Sequence, residues 1–327
     1  MTKMKLIVGM AFAAASALPV MAQDYPSQPI QLTAPYGPGG ASDLAARNLA
    51  NIAPDYVGQP VLVTNRAGAG GATGSAYVKN SDPDGYNLLL ARIGSHSISP
   101  ALKSSMPYQW DDFTYLGLLE INPAACATAT SKPYQTLEEL RAAIEENPGA
   151  VTYSSAGVGT LHHLGGIMLL DELGFEDPSV AATHIPFQSG GAAAAAAATG
   201  QVDFVCSNIS AIISQIEGGQ LRPLVVTTPE RVDTLPDVPT ASELGIPGIE
   251  ALVGWSGLVG PPDLSEDVIA TWAAALQEIG QDERWSAQTE SLGSVPMMLS
   301  PEETVEFVEN QYSTFKGLVE KLNLKID

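Results

Sequence analysis

The sequence predicts an α/β protein built on a mainly parallel sheet covered on both faces. Three observations predict it. Short β-like runs alternate with longer Ala/Leu-rich helical stretches. A strand that opens into a glycine loop and then a helix occurs once in each half, near residues 30–43 and 151–163. The chain has 327 residues, which suits two domains or one large one and is ample for a core without staples.

The elements follow in order. Residues 1–22 have the pattern of a secretory signal peptide: Lys3 and Lys5, an apolar run from Leu6 to Val20, and a small-residue site ending at Ala22. The run is short for a membrane span, and no Cys at the cleavage site offers a lipid anchor. The mature chain is therefore expected to be soluble and exported to a periplasm. Ile30–Ala34 is expected as a strand. It leads into Pro35-Tyr36-Gly37-Pro38-Gly39-Gly40-Ala41-Ser42-Asp43 and a helix that Ser42 or Asp43 caps. The glycines let backbone approach a bound group, and the first amides of the helix point outward at the positive end of its dipole, so this loop is a ready anion site. Val61–Thr64 is a second strand, opening onto the Gly68–Gly71 loop. Asn87–Ala91 is a third, ending in Gly94-Ser95-His96-Ser97.

A second set begins near Pro123. Ala124–Thr130 is expected as a strand, and Thr136 with Glu139 forms a capping box for the next helix. Val151–Ser154 is a strand that opens onto Ser155-Ala156-Gly157-Val158-Gly159-Thr160-Leu161-His162-His163, the same grammar as the opening loop. Ala182–Pro186, Val202–Cys206 and Leu221–Thr227 are further strands, with an alanine-rich helix after Gly190-Gly191. The tail holds a strand at Trp255–Val259 and two helices, from about Ser265 and from Pro301.

Charge narrows the function. The whole chain carries a formal −21, and a leader with two lysines and no acid takes the mature chain to −23. This argues strongly against nucleic acid as a partner, since phosphate contacts need a Lys/Arg surface. An anionic ligand meets a repulsive long-range field, but salt screens that field within about 8–10 Å and local donors prevail. The chain has no Gly-x-Ser-x-Gly elbow and no phosphate-loop lysine motif. Thr73 stands where a dinucleotide loop needs glycine, and Ser313-x-x-Lys316 lacks a supporting Lys-Thr-Gly. Four histidines and two cysteines show no metal spacing. No catalytic residue, metal or cofactor is expected. Cys126 and Cys206 suit either a disulfide or two buried thiols.

Taken together, the ordered pieces of the chain resemble the solute receptors of tripartite tricarboxylate transporters, the Bug or TctC type. The pieces are Tyr25-Pro26, Pro35-Tyr36-Gly37-Pro38-Gly39-Gly40 with Ser42-Asp43 and Arg47, Asn65-Arg66 with Gly68-Ala69-Gly70-Gly71, and Asp82-Pro83-Asp84-Gly85-Tyr86. Ser155-Ala156-Gly157 with Gly159-Thr160 and His163-Leu164, Ile185-Pro186-Phe187 with Gly190-Gly191, Gly200-Gln201-Val202-Asp203, Leu235-Pro236-Asp237-Val238-Pro239-Thr240 and Gly254-Trp255 with Gly257 follow, and Pro29-Ile30 accompanies the first. The resemblance implies a type II periplasmic binding protein: two α/β lobes, two crossings and a ligand cleft, with no catalytic activity. It implies lobe 1 over 23–121 with 227–327, lobe 2 over 122–226, and a monomer that hands a small carboxylate to membrane permease subunits. Presentation to a two-component sensor and a secreted hydrolase are the alternatives. The chain departs from the family's frequent Tyr-Lys-Gly-Gly segment, with Phe187-Gln188-Ser189-Gly190-Gly191 in its place, so a cation near lobe 2 is missing.

Ligands of open α/β sheets sit beyond the carboxyl ends of the strands. The expected ligand-binding residues are therefore Tyr36, Gly39, Gly40, Ser42 and Ser95 on one side, and Ser155, Ala156, Gly157, Thr160, His163 and Asn208 on the other. One carboxylate is expected on the amides around Gly39, Gly40 and Ser42, with closure about crossings near residues 121 and 226. Ordinary structural roles stand beside these: a cap for Ser42, a pair with Arg47 for Asp43, a helix-start hydrogen bond for His163, a core position for Trp255. Arg66 and Arg92 are either anchors for a second carboxylate or surface arginines.

Overall fold

The computed structural model describes residues 25–321, and the expected signal peptide lies outside them. Eleven strands form two sheets. The first contains β1 (Ile30–Ala34), β2 (Val61–Asn65), β3 (Asn87–Arg92), β4 (Thr114–Asn122), β10 (Gly254–Gly260) and β11 (Val295–Leu299), in the order β11-β4-β10-β3-β1-β2. The second contains β5 (Ala124–Ala129), β6 (Thr152–Ser155), β7 (Thr183–Pro186), β8 (Phe204–Asn208) and β9 (Leu221–Val226), in the order β7-β6-β8-β5-β9. Helices pack against both sheets, giving two α/β lobes.

The sheets are mixed rather than mainly parallel. β1 pairs in parallel with β2 and β3, and β6 with β7 and β8. β10 runs antiparallel to β3 and β4, and β5 runs antiparallel to β8 and β9. The reason lies in the crossings. β4 leaves the first sheet and, across Pro123 alone, β5 enters the second; the chain returns from β9 to β10 through residues 227–253. A strand that crosses and a strand that returns are antiparallel by construction. The two crossings are tied together, because Thr227 N donates to Ala124 O at 2.9 Å and Thr227 Oγ1 donates to Leu252 O at 2.9 Å.

Two strands lie outside the expected set. β4 carries Gly117 and Glu120 in an otherwise apolar run, which breaks the pattern of a buried strand. The chain there is held by β10 on one side and β11 on the other. β11 contains Pro296 and sits at the sheet edge, where a missing N–H is tolerated. A helix at Glu283–Ser291, capped by Asp282, is also additional. The expected loop Gly94–Ser97 is instead a wide helical turn, Gly94–Ile98, continuing into Ser99–Leu102.

Cys126 and Cys206 are opposite one another across β5 and β8, and they are joined as a disulfide. Two of the three largest fully buried side chains, Trp272 and Trp285, belong to the cluster on one face of the first sheet, beside Ile30, Leu32 and Leu49. Trp255 is fully buried in the other major cluster, against His96 and Phe307, and so is a core residue.

Candidate functional site

The carboxyl ends of β1, β3, β6 and β8 face each other across the cleft between the lobes. Each of these strands runs into a helix. The helix Ala41–Ile52 follows β1 with Gly40 as N-cap, Leu161–Glu172 follows β6 with Thr160, and Ile209–Glu217 follows β8 with Asn208. A fourth helix, Gly190–Ala198, follows β7 with Ser189 as N-cap. Their N-terminal residues meet: Gly40, Ala41, Ser42, Thr160, Leu161, His162, Gly190 and Asn208 line one inner cavity of about 30 Å³, with Tyr36, Arg92, Ile93, Gly94 and Ala156. The first amides of a helix have no partner within it and carry the positive end of its dipole, so four such ends at one point favour an anion.

Arg92, the last residue of β3, adds a full charge. It is only 4% exposed. Its guanidinium donates to Ser256 Oγ, reaches Asn208 Oδ1 at 3.2 Å and stands 3.6 Å from Glu120 Oε1. Burial pulls Arg92 below its ordinary pKa, opposed chiefly by the charge of Glu120; a guanidinium nonetheless stays protonated in proteins. Glu120 is held from behind by Ser256 Oγ at 2.7 Å and Asn122 Nδ2 at 3.0 Å. Asn208 closes the ring by donating to Asn122 O at 3.1 Å. This network links a β3 cation to both crossings and to the second lobe.

Two buried polar atoms on the cavity wall lack a protein partner. They are Ser42 Oγ and His162 Nδ1, in residues 4% and 6% exposed. The other ring nitrogen of His162 lies 3.2 Å from Ser207 Oγ and 3.4 Å from Asn208 Oδ1. Burial, with Arg92 nearby, pushes the pKa of His162 down to about 4, so the ring is neutral at pH 7.

An outer cavity of about 240 Å³ adjoins the inner one, sharing Tyr36 and Ala156 with it. Its walls are the Gly68–Gly71 loop, Lys103, Gly157, Val158 and the segment Pro186-Phe187-Gln188. The Tyr36 hydroxyl donates to Gly70 O at 2.9 Å, and burial holds its pKa up near 12. Gly71 and Gly94 leave the space that its ring fills; a Cβ on either would lie within 3 Å of the ring or its hydroxyl. Among the described residues no Asp or Glu lines either cavity.

The lobes touch along the cleft. Gly37 N donates to Gln188 O at 3.0 Å, Ser99 Oγ to Gly159 O at 3.0 Å and Lys103 Nζ to Val158 O at 3.1 Å. Gly191 packs so closely on Gly39 that a Cβ there would overlap the Gly39 carbonyl.

Of the expected site residues, Tyr36, Gly40, Ser42, Ala156, Thr160 and Asn208 line the inner cavity, and Gly157 lines the outer one. The others point elsewhere. The Gly39 amide already donates to Asp43 Oδ2 at 3.0 Å, so it is not free for a ligand. Ser95 is fully buried, its hydroxyl donating to Arg92 O; Gly94 takes its place on the wall. Ser155 Oγ is held by His184 Nε2 at 2.6 Å and Gly157 N at 3.0 Å. His163 turns away to accept from Gly159 N at 3.2 Å and to stack on His184. Gly157 N and O are both engaged, by Ser155 and Thr160.

The cap of the first helix is Gly40, not Ser42 or Asp43. Asp43 instead pairs with Arg47 Nε at 3.0 Å and accepts from Asn65 Nδ2 at 3.0 Å. Arg66 lies over the Tyr77 ring, 3.7 Å from its centroid, and lines neither cavity. His162, Gly190 and Lys103 line the cavities without having been singled out as site members by the sequence pattern, and Arg92, weighed there as a second-carboxylate anchor or a surface arginine, is buried on the inner wall. Arg92 carried one signal: a lone cation ending an apolar strand at the carboxyl edge where ligands bind.

Comparison with known proteins bears on the family and the fold. The family model described as "Tripartite tricarboxylate transporter family receptor" (TctC) matches residues 45–324. A protein from the TAR-I ttuE-ttuC' intergenic region of Agrobacterium vitis is 34% identical over 86% of this chain and 81% of its own length. BugT of Bordetella pertussis is 30% identical over 100% of this chain and 99% of its own. Among solved structures, the periplasmic binding protein BugD superposes with a TM-score of 0.86 at 29% identity, covering 92% of this chain and 99% of BugD. MatC from Rhodopseudomonas palustris with bound malate gives 0.85 at 27%, covering 90% of this chain and 100% of MatC. With the two-lobed fold in common and the match running over nearly all the described residues, this chain belongs to the TctC family of tripartite tricarboxylate transporter receptors, which are periplasmic solute-binding proteins.

Proposed function

We propose that this protein captures a small carboxylate in the cleft and delivers it to the membrane permease of a tripartite tricarboxylate-type transporter. One observation carries the reading: four helix N-termini and a buried guanidinium meet at a cavity with no carboxylate on its walls. A carboxylate there accepts from the amides of Ala41 and Ser42, from Ser42 Oγ and from Arg92. From the second lobe it accepts from the amides of Leu161 and His162. The His162 tautomer with its proton on Nδ1 lets Nε2 accept from Ser207 and turns the other N–H to the ligand. Charge-assisted bonds of this kind are roughly twice as strong as neutral ones. The malate bound in MatC, a small dicarboxylate, supports the ligand class.

Binding needs an open cleft, because about 30 Å³ holds only a few atoms. Lobe 1 comprises 23–121 with 227–327 and lobe 2 comprises 122–226 in this reading, and closure turns on the crossings near 121 and 226. The leader at residues 1–22 sends the chain to the periplasm, where it works as a monomer.

The test is a thermal-shift screen of refolded, ligand-stripped mature protein against C4–C8 dicarboxylates, citrate, aromatic carboxylates, amino acids and neutral sugars. A ligand at 100 times its Kd adds about 2.7 kcal/mol of stability. Shifts confined to carboxylates are expected. Shifts with neutral or cationic compounds alone would overturn the carboxylate reading and leave the fold standing.

A further inference from the structure

We infer that Lys103 anchors a second anionic group, which makes the outer cavity a subsite selecting diacids over monoacids of the same length. The inference rests on the carboxylate reading of the inner cavity.

Lys103 is the one lysine among the residues lining the two cavities. It follows the short helix Ser99–Leu102 and leans half-buried across the cleft mouth. Its ammonium donates to Val158 O at 3.1 Å, which occupies one of three N–H bonds. Other partly buried lysines in this protein are treated differently. Lys79 pairs with Asp112 at 2.6 Å and Lys132 with Asp203 at 2.8 Å. Among the described residues no carboxylate lies within 4 Å of Lys103, although the chain has 36 acidic residues to supply one. A cation taken partly out of water without a counter-charge is costly, and burial accordingly lowers its pKa. An anion arriving in the outer cavity relieves that cost.

The geometry of the walls fits a bifunctional ligand. Arg92 and the helix N-termini mark the inner end and Lys103 the outer end. Tyr36 and Ala156 belong to both cavities, and Pro186 and Phe187 offer apolar surface for the carbons beyond them. A monoacid satisfies the inner end and leaves Lys103 as it stands. A diacid satisfies both.

Titration calorimetry of wild type, Lys103→Met and Lys103→Arg tests this. The probes are succinate, glutarate and adipate, each beside its monoamide. Wild type is expected to prefer the best diacid over its monoamide by roughly tenfold or more, the scale of one charge-assisted hydrogen bond. In Lys103→Met the preference falls to near one while monoamide affinity stays within about threefold of wild type, and Lys103→Arg retains the preference. Equal loss of both ligands in Lys103→Met would mean that the residue only holds the cleft shut. A preference unchanged in Lys103→Met, or absent from wild type, would also overturn the inference while leaving the carboxylate site intact. Wild type binding none of the acids would remove the carboxylate reading and this inference with it.

Discussion

Arg92 faces Glu120 on one side and the cleft on the other, so its removal has two separable effects. Arg92→Met leaves a buried carboxylate without its cation, which costs about 3–5 kcal/mol. It also removes a full charge from the inner cavity, and carboxylate affinity is expected to fall by roughly ten- to a hundredfold. The double variant Arg92→Met/Glu120→Gln is expected to recover most of the stability and none of the affinity. Denaturant midpoints and calorimetry on the pair check this; recovery of binding in the double variant would show that Arg92 acts only by neutralising Glu120. The histidines make a pH prediction. All four of the chain are buried enough to lower their pKa, with His162 and His184 at about 4 and burial as the main cause. The unfolded chain takes up their protons near pH 6.5 while the folded chain does not, so stability is full above 6.5 and falls as pH drops toward 4. Chemical denaturation at pH 7, 5.5 and 4.5 is expected to show this decline, and His184→Asn to flatten it. Much of this scale was not legible in sequence. His162 and His163 are neighbours, yet one helical step turns one to the cavity and the other back onto Gly159 and His184. Ser42, weighed as either a ligand contact or a helix cap, lies on the cavity wall, and the cap position belongs to Gly40.

The element that lines the inner cavity is the helix start, used four times. The strand, glycine loop and helix at 30–43 and 151–163 were legible because each carries its own turn residues and cap. The contribution of Gly190 was not, since an alanine-rich helix gives no sign of which end faces a ligand. β4 was hidden for a different reason. Its Glu120 is a charged residue inside a buried strand, tolerated because Arg92, Ser256 and Asn122 surround it; Asn122 lies two residues along the same strand, but Arg92 and Ser256 come from two distant strands. Contact between the first and fourth helix starts is close, with Gly191 against the Gly39 carbonyl. Gly191→Ala is expected to weaken carboxylate affinity by roughly tenfold, because the added methyl holds the lobes apart at the cleft. It is expected to change stability by no more than about 1 kcal/mol, since alanine favours the helix. Calorimetry with small-angle scattering checks both halves, the variant showing the larger radius of gyration when ligand is present. Wild-type affinity in this variant would mean that closure does not pass through that contact.

At the scale of the whole molecule, the acidic charge and the anion-seeking cleft are reconciled by distance. Among the described residues no Asp or Glu lines either cavity, and the walls hold Arg92, Lys103 and helix N-termini; the neighbouring carboxylates, Glu120 and Asp43, are each paired with an arginine. Solvent and salt screen the surface charge, while the inner cavity's donors act at close range. The repeated glycine grammar marked one strand-loop-helix in each half and the family resemblance implied the two lobes, but the mixed sheets were not legible. They follow from two chain crossings whose partners are set by tertiary pairing, and the same pairing brings Cys126 opposite Cys206, a choice that spacing alone left open. The central claim is that the inner cavity holds a carboxylate by helix N-termini from both lobes together with Arg92. The most direct measurement is a crystal structure of the mature protein with the best acid from the thermal screen. The claim predicts one carboxylate within hydrogen-bond distance of the Ala41 and Ser42 amides, Arg92 and the second-lobe helix start at Leu161-His162. A ligand carboxylate lying outside this cavity, with Arg92 still bound only to Ser256, Asn208 and Glu120, would contradict it.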